Sequence, residues 1–227
     1  MFFYICLIIS FIPLLIIYPC VVSGKKNLPK KGRFILAPNH QTLNDPIIIA
    51  ARLTSRRRFR FMAKAPLFKN KVFGAIMRGM GAYPVDNQSA TDINAVKTTL
   101  KHLKEERAVC IFPEGARLVS SEENQLKHGV AMFALKTNSP VVPAFFVRKT
   151  NAFVPNRLII GEPIALHTME QFKDRKVDKD VLEEASQIIK DGINKLRYNY
   201  THRKEIKQQE KLAKKQAKLQ KKNKSTN

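Results

Sequence analysis

A histidine and an aspartate lie five positions apart in the stretch "APNHQTLNDP", residues 37–46. The imidazole of His40 can accept a proton near neutral pH, and a carboxylate such as that of Asp45 can orient and polarise an imidazole ring. The same spacing is also compatible with a metal site or with an ordinary loop. Residues elsewhere in the chain are needed to choose among these three interpretations.

A metal site and a protein nucleophile both lack the residues that they require. No second histidine lies near His40, and Cys6, Cys20 and Cys110 are far apart with no Cys-x-x-Cys pair. No G-x-S-x-G sequence, which would mark a serine nucleophile, occurs in the chain. We therefore expect no metal, no disulfide, and a His40–Asp45 pair that acts on a nucleophile supplied by the substrate.

A second stretch, "CIFPEGAR" at residues 110–117, places charged residues directly after another apolar run. Arg117 can bind a phosphate through two nitrogens, and Gly115 lets backbone N–H groups approach an anion. Loops at the carboxyl ends of strands line the ligand crevice of α/β sheets. We therefore predict that Glu114, Gly115 and Arg117 lie near His40, although a Glu114–Arg117 loop pair of small energetic effect is the alternative.

The elements that must position these residues follow from the hydrophobic pattern. Short β-rich runs alternate with longer amphipathic stretches, which predicts an α/β domain at residues 24–200. This fold class is a single domain with a central mixed sheet flanked by helices. The predicted strands are residues 34–37, 58–62, 82–85, 108–112, 141–147 and 157–160. The predicted helices are residues 46–53, 70–78, from 89 or 91 to about 106, 129–137, and from 179 onward.

The first of these helices has a recognisable beginning. Asp45 is of a type that favours the N-cap position, and Pro46 suits the first helical turn. We therefore predict that Asp45 caps this helix. His40 would then lie in the turn between the strand and the helix.

The N-terminal residues indicate a membrane anchor. Residues 2–22 carry no charge, and as a helix they would extend about 31 Å, close to the thickness of a hydrocarbon core. Pro13 and Pro19 leave a spanning, a re-entrant and an interfacial anchor all open. A cleaved signal peptide is disfavoured because no basic residues precede the apolar run. We predict a hydrophobic anchor at residues 1–23, with the catalytic domain on the cytoplasmic side because lysines follow directly.

The chain carries 41 Lys and Arg against 18 Asp and Glu, a net charge of +23. Such a charge favours a polyanionic partner, which could be nucleic acid, an anionic bilayer or an acidic substrate. Ten Lys or Arg residues against two Glu lie in the tail, residues 201–227. We predict a basic tail that is helical or disordered, either solvated or attached to anionic lipid.

Together, these stretches resemble the 1-acylglycerol-3-phosphate O-acyltransferase family, the glycerophospholipid acyltransferases. "NHQTLND" is similar to the N-H-x4-D block of that family, and "FPEGAR" is similar to its F-P-E-G-T-R block. The stretch "KAPLFKNKVFGAIMRGMGAYPVDN" resembles the middle block of the family, and "LKHGVAMFALKTNSPVVPAFF" resembles its closing block. The resemblance covers about residues 22–164.

The resemblance implies a reaction and roles for individual residues. His40 would be the general base that deprotonates an acceptor hydroxyl, and Asp45 would hold His40. The acceptor would be lysophosphatidic acid, and the acyl donor would be acyl-CoA or acyl carrier protein, a co-substrate rather than a cofactor. Glu114, Gly115, Arg117 and, from the middle block, Lys64 would bind the phosphate. The product would be phosphatidic acid, formed at the cytoplasmic face of the cell membrane.

Two departures from the family pattern bear on the acceptor. Asn87 stands where the family has Arg, and Ala116 replaces its Thr. Another lysolipid or glycerol 3-phosphate therefore stays open as the acceptor. A membrane-tethered binding module without activity and a nucleic-acid-binding protein are further alternatives. We expect no nucleic acid partner, because the basic tail has no interleaved aromatic residues for base stacking.

Overall fold

The structure, a computed structural model, describes residues 13, 15–54, 56–85, 93–113, 128–206 and 208–209. Within this part of the chain, seven strands form one sheet and five α-helices pack around it. The strands are β1 (Cys20–Ser23), β2 (Phe34–Pro38), β3 (Phe59–Lys64), β4 (Ala82–Val85), β5 (Ala108–Cys110), β6 (Val141–Phe146) and β7 (Asn156–Ile160). The helices are α1 (Asp45–Leu53), α2 (Lys71–Gly79), α3 (Ile93–Lys104), α4 (Gly129–Thr137) and α5 (Lys179–Thr201).

The sheet is mixed, with the order β1-β7-β6-β2-β5-β3-β4. Strands β6, β2, β5, β3 and β4 run parallel to one another, β7 runs antiparallel to β6, and β1 runs parallel to β7. We call the end of the sheet at which the five parallel strands finish the carboxyl end, and the opposite end the amino end. The predicted α/β domain with a central mixed sheet is confirmed.

The hydrophobic core lies on both faces of the sheet. Alternating residues of β2 point to opposite faces, so that Phe34 and Leu36 pack in one cluster with α1 while Ile35 and Ala37 pack in another with α4 and α5. All five residues of β2 are buried. A strand that is covered on both faces reads as a continuous apolar run, which is why this strand was readily predicted.

Most predicted elements are present with small shifts in their ends. β4 and α4 have the predicted bounds, whereas β3 begins and ends later than predicted. Helix α2 begins after Asn70, whose side chain accepts a hydrogen bond from the backbone N–H of Phe73 at 3.0 Å. The predicted start of α3, at residue 89 or 91, lies outside the described residues.

The N-terminal region differs from the predicted anchor. Residues 20–23 form the edge strand β1, in which Cys20 pairs with Asn156 of β7, so the last four residues of the predicted anchor belong to the sheet. Hydropathy could not reveal this, because an apolar strand that continues an apolar run cannot be told from a membrane helix by composition. Residues 1–12 and 14 lie outside the described part of the chain. Among the residues that are described, no helix combines the length and apolar composition needed to cross a bilayer.

The C-terminal helix begins as predicted. The Asp178 side chain caps α5 by accepting a hydrogen bond from the backbone N–H of Val181 at 2.9 Å. Helical residues continue to 206 after a turn at residue 202. The greater part of the predicted basic tail, residues 210–227, lies outside the described residues.

Candidate active site

His40 lies just beyond the carboxyl end of β2, between the neighbouring strands β5 and β6. The chain leaves the sheet at Asn39, which is 8% exposed. Its side chain donates a hydrogen bond to the carbonyl of Phe146 at 3.2 Å and accepts one from the backbone N–H of Phe146 at 2.6 Å. This pair of bonds continues the β2–β6 ladder through a side chain, and it determines where the turn with His40 begins.

The structure brings His40 and Asp45 together as predicted. Nδ1 of His40 lies 3.1 Å from Oδ2 of Asp45. The side chain of His40 is 21% exposed, whereas that of Asp45 is fully buried. The ring of Phe112 lies against the imidazole with 4.1 Å between ring centroids. These contacts hold Nδ1 and one face of the imidazole, and the side chain keeps some access to solvent.

Asp45 accepts hydrogen bonds from several further groups. Its Oδ2 accepts from the backbone N–H of Gln41 and of Thr42, both at 2.7 Å. Its Oδ1 accepts from the hydroxyl of Thr42 at 2.8 Å and from that of Thr150 at 3.1 Å. The carboxylate is thus fixed by its own turn and by a residue from a distant part of the chain.

The predicted capping role of Asp45 is wrong. Asn44 occupies the N-cap of α1 without a side-chain hydrogen bond, and Asp45 is the first residue of the helix. The carboxylate points back to the turn, because two backbone N–H groups and the imidazole reach it there. The sequence pattern identified a helix start correctly, but the side chain serves the histidine instead.

The surroundings of Asp45 change its pKa in two opposing ways. Burial alone would raise the pKa, but hydrogen bonds from His40 and from the backbone of Thr42 and Gln41 outweigh it, so that the pKa is lowered. Asp45 is therefore an anion at neutral pH. An anion at Nδ1 favours the tautomer with a proton on that nitrogen, and it stabilises the imidazolium when Nε2 accepts a proton.

Of the residues predicted to bind phosphate, only Lys64 lies in the described part of the chain. It is the last residue of β3, is exposed, and stands at the carboxyl end of the sheet with β5 between its strand and β2. Glu114, Gly115 and Arg117 lie outside the described residues, as do Asn87 and Ala116. Phe112, two residues before Glu114, contacts His40.

The described cysteines are unpaired and poorly suited to act as nucleophiles. Cys20 and Cys110 are buried, and burial raises the pKa of both thiols. Cys6 lies outside the described residues. Within the described ranges, no three His, Cys, Asp or Glu side chains come together as a metal site.

Sequence reasoning missed three residues of this site: Asn39, Phe112 and Thr150. Phe112 directly precedes the Pro-Glu-Gly turn, and Asn39 directly precedes His40, so spacing alone could have pointed to both. Thr150 is 105 residues from Asp45. Nothing in the sequence indicates that contact.

Comparisons with known proteins identify the family of this chain. A family model described as Acyltransferase matches residues 20–147. The 1-acyl-sn-glycerol-3-phosphate acyltransferase of Bacillus subtilis is 32% identical over 180 residues, which are 77% of this chain and 88% of that protein. The enzyme of the same name from Borreliella burgdorferi is 28% identical over 177 residues, 77% of this chain and 70% of that protein.

A solved structure supports the fold. The crystal structure of the 1-acyl-sn-glycerophosphate (LPA) acyltransferase PlsC from Thermotoga maritima has a TM-score of 0.56 at 23% identity, and the match covers 86% of this chain and 78% of that one. The resemblance predicted from the four sequence blocks is thereby confirmed. This chain is an acyltransferase enzyme and belongs to the Acyltransferase family.

Proposed function

We propose that the protein transfers a fatty acyl group from a thioester to the sn-2 hydroxyl of 1-acylglycerol 3-phosphate, giving phosphatidic acid. The observation that carries this proposal is the contact between a partly exposed His40 and a buried, ionised Asp45. The names of the similar proteins from Bacillus subtilis and Borreliella burgdorferi support the choice of acceptor.

The geometry supports a direct transfer with one general base. Asp45 holds Nδ1 of His40, and Nε2 accepts the proton of the acceptor hydroxyl. The oxygen attacks the thioester carbonyl, a C–O bond forms and the C–S bond breaks. The proton on Nε2 then passes to the departing thiolate, so that acylated product and free thiol leave. This sequence involves no acyl-enzyme, which is consistent with the buried cysteines.

Basic groups would bind the anionic parts of both substrates. We assign the acceptor phosphate to Lys64 together with Glu114, Gly115 and Arg117, because Arg and backbone N–H groups suit a phosphate. The donor would be acyl-CoA or acyl carrier protein, used as a co-substrate without any bound cofactor. Either donor is acidic, and a net charge of +23 would attract both.

The protein would act at the cytoplasmic face of the cell membrane. Ten large apolar side chains are exposed among the described residues. Eight of them precede β1, follow β2, β3 or β4, or lie between β6 and β7, and the strand directions place all of these segments at or beside the carboxyl end of the sheet. We call these eight residues the apolar rim: Ile16, Leu43, Leu67, Val72, Phe73, Ile93, Phe153 and Val154. Exposed apolar side chains gathered around a site for lipids favour contact with a bilayer.

Charged residues at the same end support this attachment. Lys64, Lys69 and Lys71 are exposed near α2, and Arg148 and Lys149 are exposed after β6. Each such charge near an anionic bilayer is worth about 1 kcal/mol. The anionic lipid surface would therefore be a partner as well as the source of the acceptor.

Replacement of His40 tests the proposed reaction. The full-length protein should acylate lysophosphatidic acid with acyl-CoA or with acyl carrier protein, and His40→Ala should abolish turnover because the base is lost. His128→Ala is the control, because Nδ1 of His128 pairs with the hydroxyl of Ser186 on α5, at 3.0 Å, and not with a carboxylate. Full activity of a folded His40→Ala variant would refute the role of His40. Wild-type turnover of only another lysolipid or of glycerol 3-phosphate would correct the acceptor.

A further inference from the structure

Thr150 and Asn156 connect Asp45 to a strand that sequence reasoning did not associate with the site. Thr150 lies in the connection between β6 and β7, and its hydroxyl is 3.1 Å from Oδ1 of Asp45. The side-chain amide nitrogen of Asn156, the first residue of β7, is 3.1 Å from the same hydroxyl. Both residues are 5% exposed. Water therefore has little access to these hydrogen bonds.

The orientation of the Asn156 amide follows from its other partners. Its Oδ1 accepts from the backbone N–H of Arg157 at 2.7 Å and of Arg148 at 3.3 Å. Its Nδ2 donates to the carbonyl of Arg148 at 2.8 Å. A flipped amide would place N–H groups against N–H groups, so only one orientation satisfies all of these contacts. Nδ2 must therefore face Thr150.

This orientation determines the direction of the Thr150 hydroxyl. An amide nitrogen can only donate, so the hydroxyl accepts from Asn156 and directs its single proton to Asp45. The hydrogen bonds then run in one direction, from Asn156 to Thr150 to Asp45, and His40 donates to the same carboxylate from the other side. Hydrogen bonds aligned in this way strengthen one another in a buried setting.

Strand order explains why these residues meet. β6 is the direct neighbour of β2, so the connection that leaves β6 passes over the turn that follows β2. Asn156 is itself held in the sheet, because its backbone N–H donates to the carbonyl of Pro19 at 2.9 Å and it pairs with Cys20. The edge strand β1 thus supports the residue at the start of the hydrogen-bond chain.

We propose that Thr150 and Asn156 are positioning residues for acyl transfer, which hold the Asp45 carboxylate in the orientation that aligns His40. This inference rests on the proposed role of His40 as base. Neither residue contacts the acyl group or the acceptor in this assignment. Both act through Asp45, so that their removal should affect the chemical step more than substrate binding.

Substitutions at Thr150 test the proposal in the full-length enzyme. Thr150→Val keeps the shape but removes the hydroxyl, and it should lower kcat about 10-fold or more, as expected for a hydrogen bond to a charged group. KM for donor and acceptor should stay within about twofold. Thr150→Ser restores the hydroxyl and should recover most of kcat. The matched control is Thr137→Val, because Thr137 is also buried, at 6% exposure, and bonds to Phe133 and Ser139.

A second measurement does not depend on the substrate. The proton on Nδ1 of His40, identified by its loss in His40→Gln, should give a downfield NMR signal because it faces a carboxylate. Thr150→Val should shift or broaden this signal, and Thr137→Val should leave it unchanged. If the wild-type enzyme fails to acylate lysophosphatidic acid while the signal still changes in Thr150→Val, the proposed acceptor is wrong. In that case the positioning role of Thr150 stands. An unchanged signal and unchanged kcat in Thr150→Val would overturn the inference.

Discussion

A charged side chain is held by several hydrogen bonds at each end of the sheet, Asp45 at the carboxyl end and Arg57 at the amino end, and the two networks serve different purposes. At the carboxyl end, Asp45 accepts from His40, from its own turn and from Thr150. At the amino end, Arg57 donates to the carbonyls of Pro29 and Gly32 at 3.1 and 2.6 Å, and its guanidinium lies over the buried ring of Phe34.

The difference lies in what each charge faces. Arg57 keeps its proton at all ordinary pH values and contacts carbonyls and a phenyl ring, so it can only tether loops. Asp45 contacts an imidazole that can gain and lose a proton, and this imidazole is partly exposed. A charge held by hydrogen bonds therefore gives a structural contact at one end, where Arg57 is half-buried, and a candidate catalytic pair at the other, where Asp45 is buried.

The two ends also differ in their surfaces. The apolar rim lies at the carboxyl end, whereas the amino end presents exposed cations such as Lys25, Lys30, Arg56 and Arg58. Basic residues occur at both ends, so charge alone does not orient the domain on an anionic surface. The exposed apolar side chains distinguish the ends, which is why we propose that the carboxyl end faces the bilayer.

The largest effect is expected at the charged group of the carboxyl end. Asp45→Asn preserves shape but removes the anion at Nδ1, so the imidazole loses its preferred tautomer and the support for its charged form. We expect kcat to fall by roughly 10³- to 10⁴-fold, as for the aspartate of a catalytic triad. Steady-state kinetics measure this change in kcat, with cooperative thermal unfolding as the evidence that the variant is folded. A loss smaller than tenfold would remove the proposed difference between Asp45 and Arg57.

A smaller effect is expected from the apolar rim. Replacing Leu67, Val72 and Phe73 together by Ser should lower partition onto anionic vesicles about 10- to 100-fold, because each side chain loses part of the roughly 1.5–3 kcal/mol gained on full burial. Turnover of a short-chain, water-soluble acceptor should change little. Cosedimentation with vesicles measures the partition.

Tyr198→Ser provides the control for the rim. Tyr198 is 59% exposed but lies on α5, which packs on the face of the sheet opposite to the one that carries α2. Its replacement should not alter vesicle binding. Equal losses from the rim and from Tyr198 would mean that the apolar rim is not the surface that contacts the membrane.

The smallest effect on turnover is expected at the amino end. Arg57→Met keeps much of the aliphatic chain but removes the hydrogen bonds to Pro29 and Gly32, leaving their carbonyls without these donors. The free energy of unfolding should fall by roughly 1–3 kcal/mol, whereas kcat of the folded enzyme should stay within about twofold. Urea unfolding measures the free energy of unfolding, and steady-state kinetics measure kcat. The control is Arg56→Met, because Arg56 is exposed. A large loss of kcat with unchanged stability would contradict the structural role of Arg57.

Local patterns in the sequence were sufficient for much of the fold. The bounds of β4 and α4 were predicted because turn residues and Gly129 mark where those elements begin or end. β1 was not predicted, because its apolar residues continue a longer apolar run and its pairing with β7 is not a local property. For Asp45, the predicted contact with His40 is confirmed and the predicted helix cap is wrong. The capping preference is a property of the residue type, whereas the hydrogen-bond partners of the carboxylate depend on the folded turn.

The sequence by itself determined the His40–Asp45 pair, because both residues belong to one short turn between a strand and a helix, and it determined the family through motifs that are local in the chain. Only the tertiary structure decided that Thr150 and Asn156 support Asp45 and that the apolar rim collects at one end. The physical reason is the strand order. Placing β6 beside β2 and aligning five strands in parallel brings together connections that are far apart in the chain, and no local pattern of residues encodes that neighbourhood.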